Sequence, residues 1–220
     1  MIASNRCINV NYLQEFKAKG KKFVPYHHAL NPQFFLGVIE KKGNPSLIAH
    51  LNFYNHFQKF AKEHPNHKKI IIIGDLRDIC VATVYQQKKF LDRTVGRGVR
   101  FDKKLHYVIN PESGFLLNSM YNISKSAKNA LLCLQDPSFI VCRLEAFYGD
   151  GIRAQQEIQI EKFAANLGIT LSKEEINYVL DNLWVTSGDI GIWKTHFKSS
   201  HVKAFKKHLD PLFINLGYRW

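Results

Sequence analysis

Long apolar runs are missing from this sequence. No stretch approaches the roughly 20 consecutive apolar residues that a membrane-spanning helix needs, and no apolar segment follows Met1 as it would in a secretory signal. These two absences predict a soluble, non-secreted protein, and a cytoplasmic location is the default expectation.

Cysteine is scarce as well, with four residues in a chain of 220. They form no Cys-x-x-Cys pair and no cluster with histidine, so a disulfide scaffold and a zinc module are both disfavoured. Adjacent histidines do occur in Tyr26-His27-His28, where they suggest either an acceptor pocket or a metal. No cysteine or carboxylate stands near them at ligand spacing, so we predict no metal site. Buried free thiols are expected at Cys7, Cys80, Cys133 and Cys142.

Negative charge is outweighed by positive charge. The 31 Lys and Arg residues face 18 Asp and Glu, which gives a net charge of +13. Such a balance attracts nucleic acid, anionic lipid or phosphorylated small molecules. The lysines come in pairs spread along the chain, which is more typical of a solvated surface than of one binding stripe. Nucleic-acid binding is therefore unlikely to be the main role and stays as an alternative.

Four consecutive isoleucines at 70–73 are the clearest structural signal. They are bounded by lysines and by Gly74, as in a strand buried on both faces of a parallel sheet. The turn Gly-Asp-Leu-Arg-Asp follows at 74–78, and a helix is predicted over 79–91. A strand, a tight turn and a helix form the unit whose helix N-terminus can hold a phosphate.

Further apolar strands and helices alternate along the chain. Gly168 and Gly217 are expected to end helices, and Ser172 with Glu175 is a candidate capping box. The alternation predicts one α/β domain over 1–220, a parallel sheet flanked by helices. The predicted strands are 46–51 and 139–144, the helices 55–63, 115–135, 155–167, 172–183 and 202–216, and the irregular segment 93–112.

Several of these segments resemble, in order, those of the PAPS-dependent sulfotransferases, where PAPS is 3′-phosphoadenosine-5′-phosphosulfate. The sharpest is Gly-x-x-Gly-x-Trp-Lys-x-x-Phe at 188–197. The resemblance implies a P-loop nucleotide-hydrolase-like sulfotransferase fold. The matching segments are 47–51, 70–82, 140–147, 163–169, 187–197 and 216–218.

The chemistry that this resemblance implies is transfer of a sulfuryl group from PAPS to a hydroxyl or amine. His50 falls where the family has its catalytic base, which takes the proton of the acceptor. The acceptor is an unidentified small molecule, and a homodimer is one open assembly. The cofactor-binding positions implied by the resemblance are Arg77, Thr83, Ser187, Gly188 and Lys194.

The chain also departs from the family pattern. Gly74 and Thr186 stand where the family has arginines, Ala82 where it has a serine, and Leu144 where it has a tyrosine. No Gly-Thr-Thr-like loop for the 5′-phosphosulfate precedes His50, so we expect an N-terminally truncated or divergent version of the fold. These departures keep a second interpretation open, that of a catalytically inactive relative that acts as a binding protein.

Overall fold

A computed structural model describes residues 68–110, 122–145, 153–181 and 190–220, the strands at 8–9 and 46–48, and single positions at 58, 62 and 65. The strands are β1 (Ile8–Asn9), β2 (Ser46–Ile48), β3 (Lys68–Ile73) and β4 (Phe139–Arg143). They form a parallel sheet in the order β1-β2-β3-β4.

The helices are α1 (Leu76–Gln86), α2 (Lys88–Thr94), α3 (Phe101–Ile109), α4 (Ile123–Gln135), α5 (Arg153–Asn166), α6 (Lys173–Asp181), α7 (Trp193–His196), α8 (Ser199–His208) and α9 (Asp210–Asn215).

The four isoleucines of β3 divide between two apolar cores. Ile71 and Ile73 belong to the larger core, which α1, α2, α3, α4, α8 and α9 complete, whereas Ile70 belongs to a smaller core formed with α5 and α6. Successive side chains of a strand point to opposite faces, so these cores lie on opposite sides of the sheet. An α/β architecture with a parallel sheet and helices on both sides is therefore confirmed for the described residues.

The helix predicted over 79–91 starts earlier and is broken once. Asp75 caps the N-terminus of α1 by accepting a hydrogen bond from the backbone N–H of Arg77 at 2.8 Å. Gln87, with φ of −99° and ψ of 25°, leaves helical geometry and separates α1 from α2.

The prediction of irregular structure over 93–112 was wrong, because this segment contains α3. The glycines at 96 and 98 lie before this helix, and its apolar residues recur at helical spacing. Leu105, Val108 and Ile109 are all buried, and this burial stabilises a helix whose pattern the glycines and Pro111 obscured.

A single last helix over 202–216 was also wrong. Pro211 lies in the first turn of α9, where its missing N–H costs nothing, and it cannot continue α8. Two predicted helix ends are confirmed, since Gly168 and Gly217 adopt φ of 76° and 87°. The capping box is also confirmed: Ser172 N–H donates to Glu175 Oε2 at 2.8 Å, and Glu175 N–H donates to Ser172 Oγ at 3.2 Å.

The cysteines that the structure describes, Cys80, Cys133 and Cys142, are buried and free, as predicted. Burial raises the pKa of Cys80 and of Cys142 far above the usual thiol value, which keeps both protonated. Cys7, and nearly all of the helix predicted over 55–63, lie outside the described residues. Among the residues described, no helix combines the length and the apolar character that crossing a membrane would require.

Candidate functional site

The candidate site lies at the carboxyl ends of β3 and β4. Ile73 pairs with Arg143 in the sheet, so the residues that follow each strand, Gly74-Asp75 and Leu144-Glu145, come side by side. In open α/β sheets, ligands bind beyond the carboxyl ends of the strands. This edge is therefore the place to test the predicted cofactor site.

Side-chain carboxylates of the protein lie at the N-terminus of α1. The backbone N–H of Asp75 donates to Glu145 Oε1 at 2.6 Å, and the N–H of Arg77 donates to the Asp75 side chain. Asp78 adds a third carboxylate in the first helical turn. Two of the amides that a helix N-terminus would offer to an anion are thus bonded to side chains of the chain.

Arg77 is buried and fully surrounded. Its Nε donates to Asp75 Oδ1 at 3.0 Å, and its Nη2 donates to Asp75 Oδ2 at 2.5 Å. Its guanidinium carbon lies 3.9 Å from the ring centre of Trp193, 4.6 Å from that of Phe213 and 5.2 Å from that of Trp220. Cation–π contacts of this kind gain strength when water is excluded. Among the described residues, Nη1 of Arg77 has no hydrogen-bond partner.

Asp78 holds the C-terminal segment against this turn. Its Oδ2 accepts from the N–H of Gly191 at 2.8 Å and its Oδ1 from the N–H of Trp193 at 3.0 Å. Burial raises the pKa of Asp78, and the two backbone hydrogen bonds oppose that shift. The contact joins the turn after β3 to the Gly-x-x-Gly-x-Trp-Lys segment, two stretches that the sequence resemblance picked out separately.

Glu145 is the second carboxylate of the site with a raised pKa, and burial is again the main cause. The hydroxyl of Tyr218 donates to its Oε1 at 3.2 Å and its Oε2 at 3.0 Å. Burial, together with the neighbouring carboxylate, raises the pKa of Tyr218, so the hydroxyl stays a donor. Arg143 Nη2 donates to the carbonyl of Leu216 at 2.8 Å and fastens the same C-terminal stretch to β4.

Gly74 and Leu144 fit each other sterically. A Cβ atom placed on Gly74 would lie 2.6 Å from Cδ1 of Leu144, closer than such atoms approach in proteins. Leu144 is itself buried. The space next to the position where the resemblance leads us to expect an arginine is therefore filled by the leucine that replaces the family's tyrosine.

The remaining predicted cofactor residues are dispersed. Thr83 is buried, and its hydroxyl donates to the carbonyl of Ile79 one turn back in α1 at 2.7 Å. Lys194 is exposed on α7, two residues before His196. His50, Ser187 and Gly188 lie outside the described residues, as do Tyr26, His27 and His28. Within the described ranges, no group of three His, Cys, Asp or Glu is arranged to hold a metal ion.

The described residues that the resemblance assigns to the 3′-phosphate have partners within the protein. Gly74 has no side chain to offer, Arg77 is paired with Asp75 beneath aromatic rings, and the hydroxyl of Thr83 is bonded within its own helix. An anion at the start of α1 would instead meet carboxylates. Sequence reasoning assigned Arg77 and Thr83 by position in a motif, and position alone does not reveal which partners a side chain finds.

Sequence reasoning also missed Glu145, Asp78 and Tyr218. Glu145 and Tyr218 lay inside matched segments, but nothing in the sequence signalled that they would bond to each other across 73 residues. The sequence signalled only the position of Asp78, because an acidic residue in a first helical turn is favoured by the helix dipole.

Comparison with protein-family models, with curated proteins and with solved structures finds no match for this chain. The resemblance to sulfotransferases therefore stays a prediction from the sequence.

Proposed function

We propose that this chain is a sulfotransferase-like protein that no longer uses PAPS and acts as a non-catalytic binding protein. The observation that carries the proposal is the state of Arg77, the arginine of the turn where the resemblance places the 3′-phosphate. Its side chain is 8% exposed and is paired with Asp75, which is equally buried. In this arrangement Nε and Nη2 of Arg77 bond to Asp75 and stabilise the turn, which leaves only Nη1 for another partner.

Electrostatics at the turn supports the same proposal. A phosphate there would approach Asp75, Asp78 and Glu145, and the nearest cation already has a carboxylate partner. Two unit charges 4 Å apart interact by about 1 kcal/mol in water and about 4 kcal/mol near a protein surface. These carboxylates would therefore oppose the binding of a doubly charged phosphate at the turn.

Calorimetric titration with adenosine 3′,5′-bisphosphate tests the proposal, because this nucleotide carries the 3′-phosphate without the transferable group. We expect no saturable heat at millimolar ligand. An active PAPS-dependent sulfotransferase, titrated under the same conditions, serves as the positive control. Saturable binding that Arg77→Met abolishes, in a variant that still folds by circular dichroism, would overturn the proposal.

Active sulfuryl transfer is the second candidate, and one contact favours it. Asp78 brings the turn after β3 and the segment at Gly191–Trp193 together, and the resemblance assigns both stretches to cofactor binding. In that case His50 would act as the base, and cofactor contacts would fall to residues such as Lys194. Incubation with PAPS labelled in its sulfuryl group and a panel of hydroxyl and amine acceptors tests this candidate. Labelled product that disappears in His50→Ala would establish it.

A further inference from the structure

Three aromatic rings meet at the surface where α1, α3 and α7 come together. The ring of Tyr85 lies 5.0 Å from that of Phe101 and 5.5 Å from that of His196, and the rings of Phe101 and His196 lie 4.8 Å apart. The hydroxyl of Tyr85 is hydrogen-bonded to Nε2 of His196 at 3.2 Å. Tyr85 is nevertheless 44% exposed, so one ring of this aromatic cluster is held in place and still open to solvent.

Cations border the aromatic cluster on the side of α2. Lys88 and Lys89 follow Tyr85 by three and four residues, and both are exposed. Helical hydrogen bonds continue through the junction, since Gln87 N–H donates to Thr83 at 2.9 Å and Leu91 N–H donates to Gln87 at 2.8 Å. Residues three and four apart share one side of a helix, so these lysines lie beside Tyr85.

Other cations border the cluster on the side of α3 and α8. Arg100 immediately precedes Phe101, and Lys198 follows His196 by two residues. Both contact Asp102, Arg100 through Nη2 at 3.5 Å and Lys198 through an ion pair. The hydrogen bond from Lys198 lowers the pKa of Asp102, so this carboxylate is charged but shared by two cations. The exposed cations on the segments that border the aromatic cluster include Lys88, Lys89, Arg97, Arg100, Lys194 and Lys198.

The charge of this face contrasts with that of the opposite side of the sheet. Residues 76–110 contain eight Lys and Arg against three Asp and Glu, and residues 190–220 contain six against one. Residues 153–181, which form α5 and α6, contain three against five. Within the described ranges, the excess positive charge is thus concentrated on the side that carries the aromatic cluster, although the lysines are scattered in the sequence.

We propose that this basic aromatic face binds single-stranded nucleic acid. Proteins that bind single strands without sequence preference combine cations for the phosphates with exposed aromatic rings on which bases stack. An acidic protein or a sulfated polysaccharide would use the cations but would have no bases to stack on Tyr85. The face lies toward the C-terminal end of α1, away from the turn at Asp75, so the proposal holds whether or not PAPS binds.

The chain contains a matched control for the exposed ring. Tyr178 on α6 is 48% exposed, close to the 44% of Tyr85. Its helical neighbours three and four residues away include Glu174, Glu175 and Asp181, so it lies on an acidic surface. An effect of general aromatic exposure would be equal at the two tyrosines, whereas a site would respond only at Tyr85.

Fluorescence anisotropy with a labelled 12-nucleotide oligothymidine tests the role of the ring. We expect Tyr85→Ala to weaken binding about tenfold, since stacking on one base is worth about 1–3 kcal/mol. Tyr85→Phe keeps the ring and should bind within about twofold of the parent, as should Tyr178→Ala. Equal loss in Tyr85→Ala and Tyr178→Ala, or no loss in either, would overturn the stacking site.

The salt dependence of the same titration tests the cations. Six phosphate contacts predict a slope of about −4 when the logarithm of the binding constant is plotted against that of the salt concentration. Changing Lys88 and Lys89 to Glu should flatten this slope, because two contacts are removed. Changing the exposed Lys125 and Lys128 of α4 to Glu alters the net charge equally and should have a smaller effect. If the two double variants change the slope equally, binding depends on net charge alone, and the proposed binding face is wrong.

A duplex of the same length and a heparin fragment complete the test. In a duplex the bases are stacked on each other, so Tyr85 has no base to contact, and we expect at least tenfold weaker binding than to the single strand. Heparin should bind equally well to the parent and to Tyr85→Ala. Single-strand recognition would be contradicted if the duplex or the heparin fragment bound as tightly as the single strand. The same ligand would also have to lose affinity equally in Tyr85→Ala.

Discussion

The two sides of the sheet use charged residues in different ways. On the side of α1, α8 and α9, the ion pair of Asp75 and Arg77 is buried, and Asp78 joins the same turn to the backbone of Gly191 and Trp193. On the side of α5 and α6, the ion pairs are at the surface, as between Arg153 and Asp181, whose nitrogen and oxygen are 2.9 Å apart. We therefore expect the ion pair at the turn after β3 to stabilise the fold more than the surface ion pairs on the side of α5 and α6.

The largest expected difference between the sides comes from removing an arginine. Arg77→Met leaves Asp75 buried without its partner, and loss of one member of a buried ion pair costs about 3–5 kcal/mol of unfolding free energy. Arg153→Met removes a half-exposed partner of Asp181 and Glu157 and should cost about 0–1 kcal/mol. Urea denaturation of both variants at pH 7 measures the two values.

Arg77→Lys keeps the charge but loses the planar group that stacks on Trp193. The unfolding free energy of Arg77→Lys should lie between those of the parent and Arg77→Met. Arg77→Lys also provides a measurement if Arg77→Met does not fold. Equal losses in Arg77→Met and Arg153→Met would remove the distinction between the two sides.

A smaller loss of unfolding free energy is expected from a substitution at Gly74. The added methyl group of Gly74→Ala meets Leu144 at 2.6 Å, and overpacking of this kind costs about 1–3 kcal/mol. Combining it with Leu144→Val should recover part of the loss, because the two sites are in contact and their effects are not additive. Urea denaturation of both single variants and the double variant measures the coupling, and strict additivity would contradict the steric fit.

The capping box of α6 gives an effect of about 1 kcal/mol on the other side of the sheet. Ser172→Ala removes the hydroxyl that accepts from the N–H of Glu175, and loss of such a cap costs about 0.5–2 kcal/mol. Thr170→Ala, at an exposed position two residues earlier, is the control and should be neutral. Hydrogen exchange should become faster at the first amides of α6 in Ser172→Ala, and unchanged exchange there would refute the role of the cap.

The smallest effect is a pH dependence on the side of α3 and α8. The pKa of His106 is lowered, first by burial and then by neighbouring His201, while Asp102 opposes the shift. The ring of His201 lies 4.3 Å away, and Ser200 Oγ lies 3.2 Å from Nε2 of His106.

With a lowered folded pKa, His106 binds its proton more tightly in the unfolded chain. Stability therefore falls as the pH drops below about 6.5, the unfolded value, toward the folded pKa. His106→Gln should flatten that part of the curve of unfolding free energy against pH. A parent protein with no such slope, or a slope unchanged in His106→Gln, would contradict the assignment.

The local pattern of residues was enough to locate several elements. Four isoleucines between lysines and a glycine located β3, because a run of that length with β-branched side chains is typical of a buried parallel strand. Ser172 and Glu175 located the start of α6 for a similar reason, since both halves of a capping box are only three residues apart. Glycine located two helix ends because the left-handed conformation there disfavours other residues.

The local sequence pattern led to wrong helix bounds where glycine or proline competed with the helical spacing of apolar residues. Gly96, Gly98 and Pro111 suggested an irregular segment, and they concealed the helical spacing of α3 between them. Pro211 was overlooked within an otherwise helical pattern and divides α8 from α9. The helix predicted over 115–135 is confirmed only from 123 onward, since its first part lies outside the described residues.

The sequence by itself determined strands β2, β3 and β4, several helix termini and the positive charge. The tertiary structure alone decided what the motif residues do. Asp78 finds its partners 113 and 115 residues away, and Arg77 finds its aromatic neighbours more than 110 residues away. A motif specifies local backbone geometry, whereas the role of a buried charge depends on which distant groups replace its water. At the turn after β3, groups of the protein itself take the place of water around Arg77 and Asp78.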